Sequence, residues 1–427
     1  MKVLLIYTVT ENVYIPVLPL GLGCIAAAVE SRGHQFSLFN ATDDPQPLED
    51  LKEQITAFNP DVIGLCARNV DNQDRTNPLF LLEPVPSIVK ACKTASQAPV
   101  VLGGAGFTMF PDQILAFSGA DMGIAGQGEE SFCILLDRLE QNQPLENIPG
   151  LVLPNKPFSG ALATVKNLDA WPLPSPEKHI IVPAHWDLKT IMAPIQSRRG
   201  CALDCSYCST KNIEGRILHK RSPELVARNV REFMDKGFTQ FFFADNTFNL
   251  PPSYAHALCQ ALMDYAPGAK WQAIVYPNIL DDSLAKAMAK AGCTGVSLGF
   301  EHGDRDMLRA YNKKFGLEKV REVSDRLKNH GIGRGGFLLL GGPGETKESV
   351  KQAFDFMKTL NLETVKITSG VRIYPKTLVY EQAAAKGVIT RDQNIMYPTF
   401  YVEPGLQEWL DIAVTDFKQA HPDWLFF

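Results

Sequence analysis

No run of about eighteen uninterrupted apolar residues occurs in this chain, which is the length a helix needs to cross a bilayer, so no membrane span is expected. Positive charge is also in short supply. Lys and Arg number 42 against 47 Asp and Glu, a net charge of −5, and this gives no overall basic bias of the kind that marks nucleic-acid binders. Cysteine is scarce, at nine in 427 residues. The opening Met1-Lys2-Val3-Leu4-Leu5-Ile6-Tyr7 reads as a strand rather than a secretory leader, so disulfides are not expected and a reducing cytoplasm is. Neither an internal repeat nor a low-complexity tract is present. What remains is an ordinary globular composition, 45% hydrophobic, long enough for two domains that each bury a core.

From Met1 to about Glu140, short apolar runs alternate with helical stretches, which predicts a doubly wound, Rossmann-like parallel sheet. Strands are expected at Lys2–Tyr7, Gln35–Asn40, Val62–Ala67, Val100–Gly103 and Met122–Ala125. Ligands of such sheets sit beyond the carboxyl ends of the strands, where helix amino ends offer backbone donors. That edge carries Pro19-Leu20-Gly21, then Gly103-Gly104-Ala105-Gly106-Phe107-Thr108, then Gly126-Gln127-Gly128-Glu129. Glycines let a bulky ligand approach the backbone, although tight turns need them too. The polar loop Arg68 to Arg75, containing Asn69 and Asp71, lies on the same edge and reads either as solvated or as contacting ligand or substrate.

Eight prolines between 141 and 190 suppress helix and suggest a connector wrapped on the surface. Residues 191–382 return to strand and helix alternation, and six beta-alpha units predict a partial (β/α)6 barrel with chemistry at the carboxyl ends of its strands. Residues 383–427, with Trp409, Trp424, Phe426 and Phe427, read as a small helical cap.

Directly after the first barrel strand stands Cys201-Ala202-Leu203-Asp204-Cys205-Ser206-Tyr207-Cys208, a C-x3-C-x2-C spacing. Three thiolates are one short of the usual four around an iron-sulfur cube, which leaves one iron open, and open coordination positions are where metal chemistry occurs. A zinc knuckle completed by a distant His is the alternative, but no second ligand pair is present. The other six cysteines sit in apolar surroundings and read as small hydrophobes. Arg198 and Arg199 would favour thiolates if near them, or else form a solvated pair. Further strand ends carry Asp245-Asn246, Glu301-His302-Gly303 and Gly341-Gly342-Pro343-Gly344-Glu345-Thr346, each readable as ligand contact or as a turn and cap at the next helix.

The cysteine spacing with Tyr207 resembles the signature of radical S-adenosylmethionine enzymes. Phe243-Ala244-Asp245-Asn246, Gly299-Phe300-Glu301-His302-Gly303 with Leu308 and Asn312-Lys313, the Gly341 loop, and Tyr374-Pro375-Lys376-Thr377 extend the likeness over most of 191–390. The domain ahead of it is similar to the cobalamin-binding domain found in one branch of that superfamily, although no D-x-H-x-x-G histidine is present to ligate cobalt from below. The resemblance implies a 4Fe-4S cluster on Cys201, Cys205 and Cys208, and reductive cleavage of S-adenosylmethionine to a 5'-deoxyadenosyl radical. It places S-adenosylmethionine against Tyr207, Asp245, Asn246, Glu301, Gly341 and Gly342. Cobalamin falls against Leu20, Gly21, Gly103, Gly104, Phe107, Thr108, Gly126, Gly128 and Glu129, and substrate near Asn69, Asp71 and Tyr374. The implied activity is methylation of an unactivated carbon of a small-molecule or lipid-like substrate, with electrons from a flavodoxin or ferredoxin-type donor. A radical cyclase, rearrangement or oxidative enzyme shares every motif, and a non-enzymatic corrinoid or redox sensor is a third alternative.

Overall fold

Two parallel sheets, each fed by apolar strands that alternate with helices, form the protein in a computed structural model that describes residues 1–8, 18–42, 46–183, 185–422 and 424–426. The first sheet holds β1 (Lys2–Tyr7), β2 (Gln35–Asn40), β3 (Val62–Cys66), β4 (Val100–Gly103), β5 (Met122–Ile124) and β6 (Leu151–Val152) in the order 2-1-3-4-5-6. Strands buried on both faces read as continuous apolar runs, as Val3 to Ile6 and Val62 to Ile63 do. β6 comes from the proline-rich segment and pairs antiparallel with β5. That segment therefore joins the sheet instead of only wrapping the surface, because its prolines spare a two-residue edge.

The second sheet contains β7 (Met192–Ile195), β10 (Gln240–Phe243), β11 (Lys270–Val275), β12 (Cys293–Glu301), β13 (Gly333–Leu340) and β14 (Thr364–Ser369), all parallel. Between β7 and β10 lies a short antiparallel ladder of β8 (Arg198–Arg199) and β9 (His219–Lys220). Burial alternates along β13 and β14, so every second residue packs under a helix while Phe337, Lys366 and their neighbours face the open side. The sheet gains a seventh strand absent from the sequence expectation. β15 (Val371–Arg372) pairs with β16 (Phe400–Tyr401), and β17 (Leu425–Phe426) adds to the free edge of β14. The C-terminal region thus supplies the helix Gln407–Gln419 and also an edge strand; Phe427 lies outside the described residues.

One apolar cluster runs through Leu4, Ile6, Phe107 and Ile114 of the first unit and continues into Val371, Ile373, Val379 and Tyr401. Ion pairs, two buried and one partly exposed, cross the same seam. Arg372 Nε donates to Asp71 Oδ2 at 2.6 Å, Arg199 is bidentate to Glu129 at 2.6 and 3.0 Å, and Arg75 bonds Asp411.

Candidate functional site

The carboxyl edge of the first sheet and the mouth of the second enclose an open cavity of about 340 Å³. Small-molecule pockets span roughly 300–1,000 Å³, so this one is of ordinary ligand-binding size, with one side open for a ligand to extend. Leu20, Gly21, Gly103, Gly104, Gly126, Gly128 and Glu129 line it, together with Arg68, Arg199 and Glu214. Gly21 has nothing within 4 Å of where a Cβ would stand, so its missing side chain leaves room for a ligand. Gly104 and Gly126 are glycine for a different reason. Both have φ above 100°, and a Cβ there would lie 2.6 Å from the Ala67 carbonyl or 2.3 Å from that of Ala163.

Phe107 and Thr108 stand behind the wall instead of lining it. Phe107 is fully buried, its ring filling the space left by Gly123, whose Cβ would come within 2.2 Å. Thr108 Oγ1 donates to Gly104 O and accepts from Gly126 N–H, both at 2.9 Å, which ties the two glycine loops together. Glu129 faces the cavity, but its carboxylate is bound to Arg199. Burial alone would raise its pKa, yet the Arg199 guanidinium outweighs burial and holds it below the ordinary value. Cys66, expected as a small hydrophobe, is half-buried on the cavity wall, where burial pushes its thiol up to about 11.

Cys201, Cys205 and Cys208 share one half-buried loop. Glycine opens it: Gly200 has φ 93°, and a Cβ there would lie 2.1 Å from the Ile217 carbonyl. Burial, together with the other two thiols, pushes Cys201 up to about 11, and burial raises Cys205 against the pull of Lys313. Among the described residues, no three His, Cys, Asp or Glu side chains already converge at metal-ligand spacing. The donor set is nonetheless three soft thiols with no fourth, which matches a cluster with one open corner. Any metal that binds must displace their protons.

Around this loop stand Tyr207, Glu301, Tyr276 and Lys313. The Lys313 ammonium donates to Gly299 O at 3.0 Å and to Glu301 Oε1 at 3.4 Å, and lies 5.5 and 5.8 Å from the ring centroids of Tyr207 and Tyr276. Burial opposes its charge, but Glu301 and Cys205 keep its pKa above the ordinary value. Lys313 was part of the quoted motif without a role, because nothing in the spacing shows that it turns back onto Glu301. Glu301 itself has φ 68°, a left-handed conformation that costs a non-glycine residue on the order of 1 kcal/mol and is characteristic of functional sites. Asn246 Nδ2 donates to Glu214 at 2.6 Å, and Glu214 also accepts the Gly200 N–H, so Asn246 borders both the cysteine loop and the cavity wall.

Several expected contacts are corrected. Asp245 is 1% exposed and accepts from Ser197 N, Ser197 Oγ, Arg198 N and Arg198 Nε, which leaves it nothing for a ligand. Arg198 and Arg199 are buried and paired, neither solvated nor aimed at the thiols. Gly341 and Gly342 both donate to Glu345 Oε2, while Glu345 Oε1 meets His302 Nε2 at 2.5 Å. A Cβ on Gly342 would stand 2.3 Å from the Tyr311 hydroxyl, so packing demands that glycine whatever ligand approaches. Asp71 is held by Arg372, and Tyr374 packs with that guanidinium 5.1 Å from its ring. Asn69 is exposed at the sheet edge, and the loop around it docks on the barrel instead of standing in solvent.

Comparison with known proteins bears on both halves. A radical SAM superfamily model matches residues 195–357, and a B12 binding domain model matches residues 7–136. The chain is 25% identical over 408 residues to an uncharacterized methyltransferase of Pyrococcus horikoshii, covering 91% of this chain and 84% of that one. It is 22% identical over 431 residues to the tryptophan 2-C-methyltransferase of Streptomyces laurentii, covering 86% and 72%. Among solved structures, the radical S-adenosylmethionine methyltransferase TsrM from Kitasatospora setae, with cobalamin and a [4Fe-4S] cluster bound, shares the fold. The TM-score is 0.85 at 20% identity, over 98% of this chain and 88% of that one.

Proposed function

Because the chain belongs to the cobalamin-dependent radical S-adenosylmethionine enzymes, we propose that it methylates an unactivated carbon of a small-molecule or lipid-like substrate. One observation carries this reading: the glycine-lined cavity on the edge of the first sheet and the cysteine loop share a wall. Glu214 lines the cavity while accepting the N–H of Gly200, which is bonded to Cys201. A methyl carrier in the first site and a radical source in the second would then face a common substrate.

Cys201, Cys205 and Cys208 would hold the cluster, and bound cofactors would supply a transferable methyl group and a hydrogen-abstracting radical. The residues of this chain have simpler tasks. Lys313 offers a cation to a carboxylate, and Glu301, held 3.4 Å away, offers acceptors to hydroxyl or ammonium groups, so the pair suits a ligand bearing both. Tyr207 is half-buried, its hydroxyl pKa raised well above the ordinary value by desolvation and by Glu301, so it stays protonated and can donate. The bound Gly341 loop fixes a rigid wall. Nine free thiols support a reducing, cytoplasmic setting.

The test is product analysis with anaerobically reconstituted protein and candidate substrates. Methyl transfer yields S-adenosylhomocysteine and 5'-deoxyadenosine together with a methylated product. Deoxyadenosine without homocysteine product would overturn methylation in favour of a cyclase or oxidative enzyme. Cys205→Ala is expected to abolish both products and cluster absorbance while leaving cobalamin binding intact.

A further inference from the structure

The inner face of the second sheet is one continuous surface. Strand register sets Phe242 beside Gln272, Ile274 beside Ser297, and Phe337 beside Lys366. Contacts across the strands place these residues on the same side. A Cβ on Gly295 would stand 3.6 Å from Gln272 Cδ, and one on Gly335 would stand 2.7 Å from Thr364 Oγ1 and 3.8 Å from Ser297 Oγ. Lys366 follows Thr364 by two residues, the period that returns a strand side chain to the same face. The surface runs on into the glycine-lined cavity, whose wall includes Pro194, paired with Phe242, and Ala244.

Its chemistry is apolar with one half-buried cation. Phe242, Ile274 and Phe337 are half-buried and, among the described residues, belong to none of the apolar clusters that make the core. Lys366 lies on the same face, and burial lowers its pKa although Asp74 opposes that from the loop whose Arg75 bonds Ser369 O. An ammonium has three donors, so a ligand can share it with Asp74. At about 4.8 Å per strand, Lys366 on β14 stands roughly 10 Å from β12, where Gly299 O holds the Lys313 ammonium beside Glu301. The two lysines therefore serve separate ligand positions. We propose that Lys366 is a specificity-determining residue of the substrate site, binding the carboxylate of a compact acid whose apolar body lies against Phe337 and Ile274. The inference rests on the methyl-transfer reading and narrows its substrate to a small carboxylic acid.

The test measures binding of 3-phenylpropionate, indole-3-propionate and hexanoate, and of their primary amides, to the anaerobically reconstituted holoenzyme by equilibrium dialysis. The parent should bind at least one acid about tenfold more tightly than its amide, the margin of one charge-assisted bond. Lys366→Met should erase that preference and keep amide affinity within about twofold, while Lys366→Arg should retain the preference. Phe337→Ala should weaken acid and amide alike. Should Lys366→Met lose its cofactors, Asp74→Asn decides: it keeps the Oδ1 that accepts from Thr76 and Asn77, removes a competing charge, and should tighten the acids alone. Acids no tighter than amides, a preference that survives Lys366→Met, or acids unmoved by Asp74→Asn overturn the proposal. So does a parallel loss of S-adenosylmethionine affinity in Lys366→Met, which would assign the lysine to the cosubstrate. None of these readings needs turnover. If product analysis shows no S-adenosylhomocysteine, the methylation reading falls while the acid preference still judges Lys366.

Discussion

Glu301 is held in a left-handed backbone conformation at the end of β12, with its carboxylate beside the Lys313 ammonium. Asn tolerates that conformation better than Glu, and Lys313 keeps its bond to Gly299 O, so the relieved strain offsets much of the lost ion pair and Glu301→Asn should change the melting temperature little. The same change removes the carboxylate charge and shortens the side chain, and S-adenosylmethionine binding measured by calorimetry should weaken at least about tenfold, the loss expected of one charge-assisted bond. Stability and binding that fell together would show Glu301 to be structural. Glu129 behaves in the opposite way. Its loss in Glu129→Ala strands the buried Arg199 and should cost about 3–5 kcal/mol in denaturant unfolding. Its pKa is depressed in the folded chain, so its contribution is complete above the ordinary carboxylate range and fades as pH falls through the folded value. The gap between parent and variant should therefore narrow as the pH drops below about 4. Cys201, Cys205 and Cys208, proposed to hold the cluster, stand out in sequence because their spacing is itself the argument, and the structure keeps them on one half-buried loop. The pairing of Asp245 and Asp71 was not legible, because sequence shows an acid at a strand end and not the arginine that engages it.

At the level of elements, the glycine loops divide by cause. Gly21 is open to the cavity on the helix Leu20–Ser31, whereas Gly104 is pinned by its φ of 103° and the Ala67 carbonyl. Gly21→Phe should keep or raise thermal stability, since glycine inside a helix is destabilising by roughly 0.5–1 kcal/mol relative to alanine. It should also lower cobalamin retention on gel filtration. Gly104→Ala should cost at least about 1–3 kcal/mol whether or not cobalamin is present. If Gly21→Phe bound cobalamin as the parent does, the cavity would not be the cobalamin site. Most strands of the first sheet were legible as short apolar runs alternating with helical stretches. β6 and β17 were not, because a two-residue strand has no period to read and exists only where a neighbouring edge is free.

Across the whole molecule, the boundary suggested by composition is not the boundary of the core. The cluster containing Leu4, Ile6 and Phe107 also contains Met307, Tyr311, Val371 and Tyr401, so each half completes the burial of the other. Asp71 with Arg372 and Arg75 with Asp411 add charged contacts to the same seam. Sequence could not show this, since the joined residues lie about 300 positions apart. Residues 191–427 produced alone would expose that apolar face and leave Arg372 without its carboxylate, a combination expected to cost well over the ~5–15 kcal/mol that holds a typical domain. The fragment should bind a hydrophobic dye and aggregate, and the full chain should melt in one calorimetric transition. Cobalamin binds only the folded state, so it should raise that single transition by RT ln(1 + [L]/Kd), about 2.7 kcal/mol at a hundredfold excess over Kd. Two transitions, of which cobalamin moved only one, would show that the halves fold independently and that the shared core contributes little.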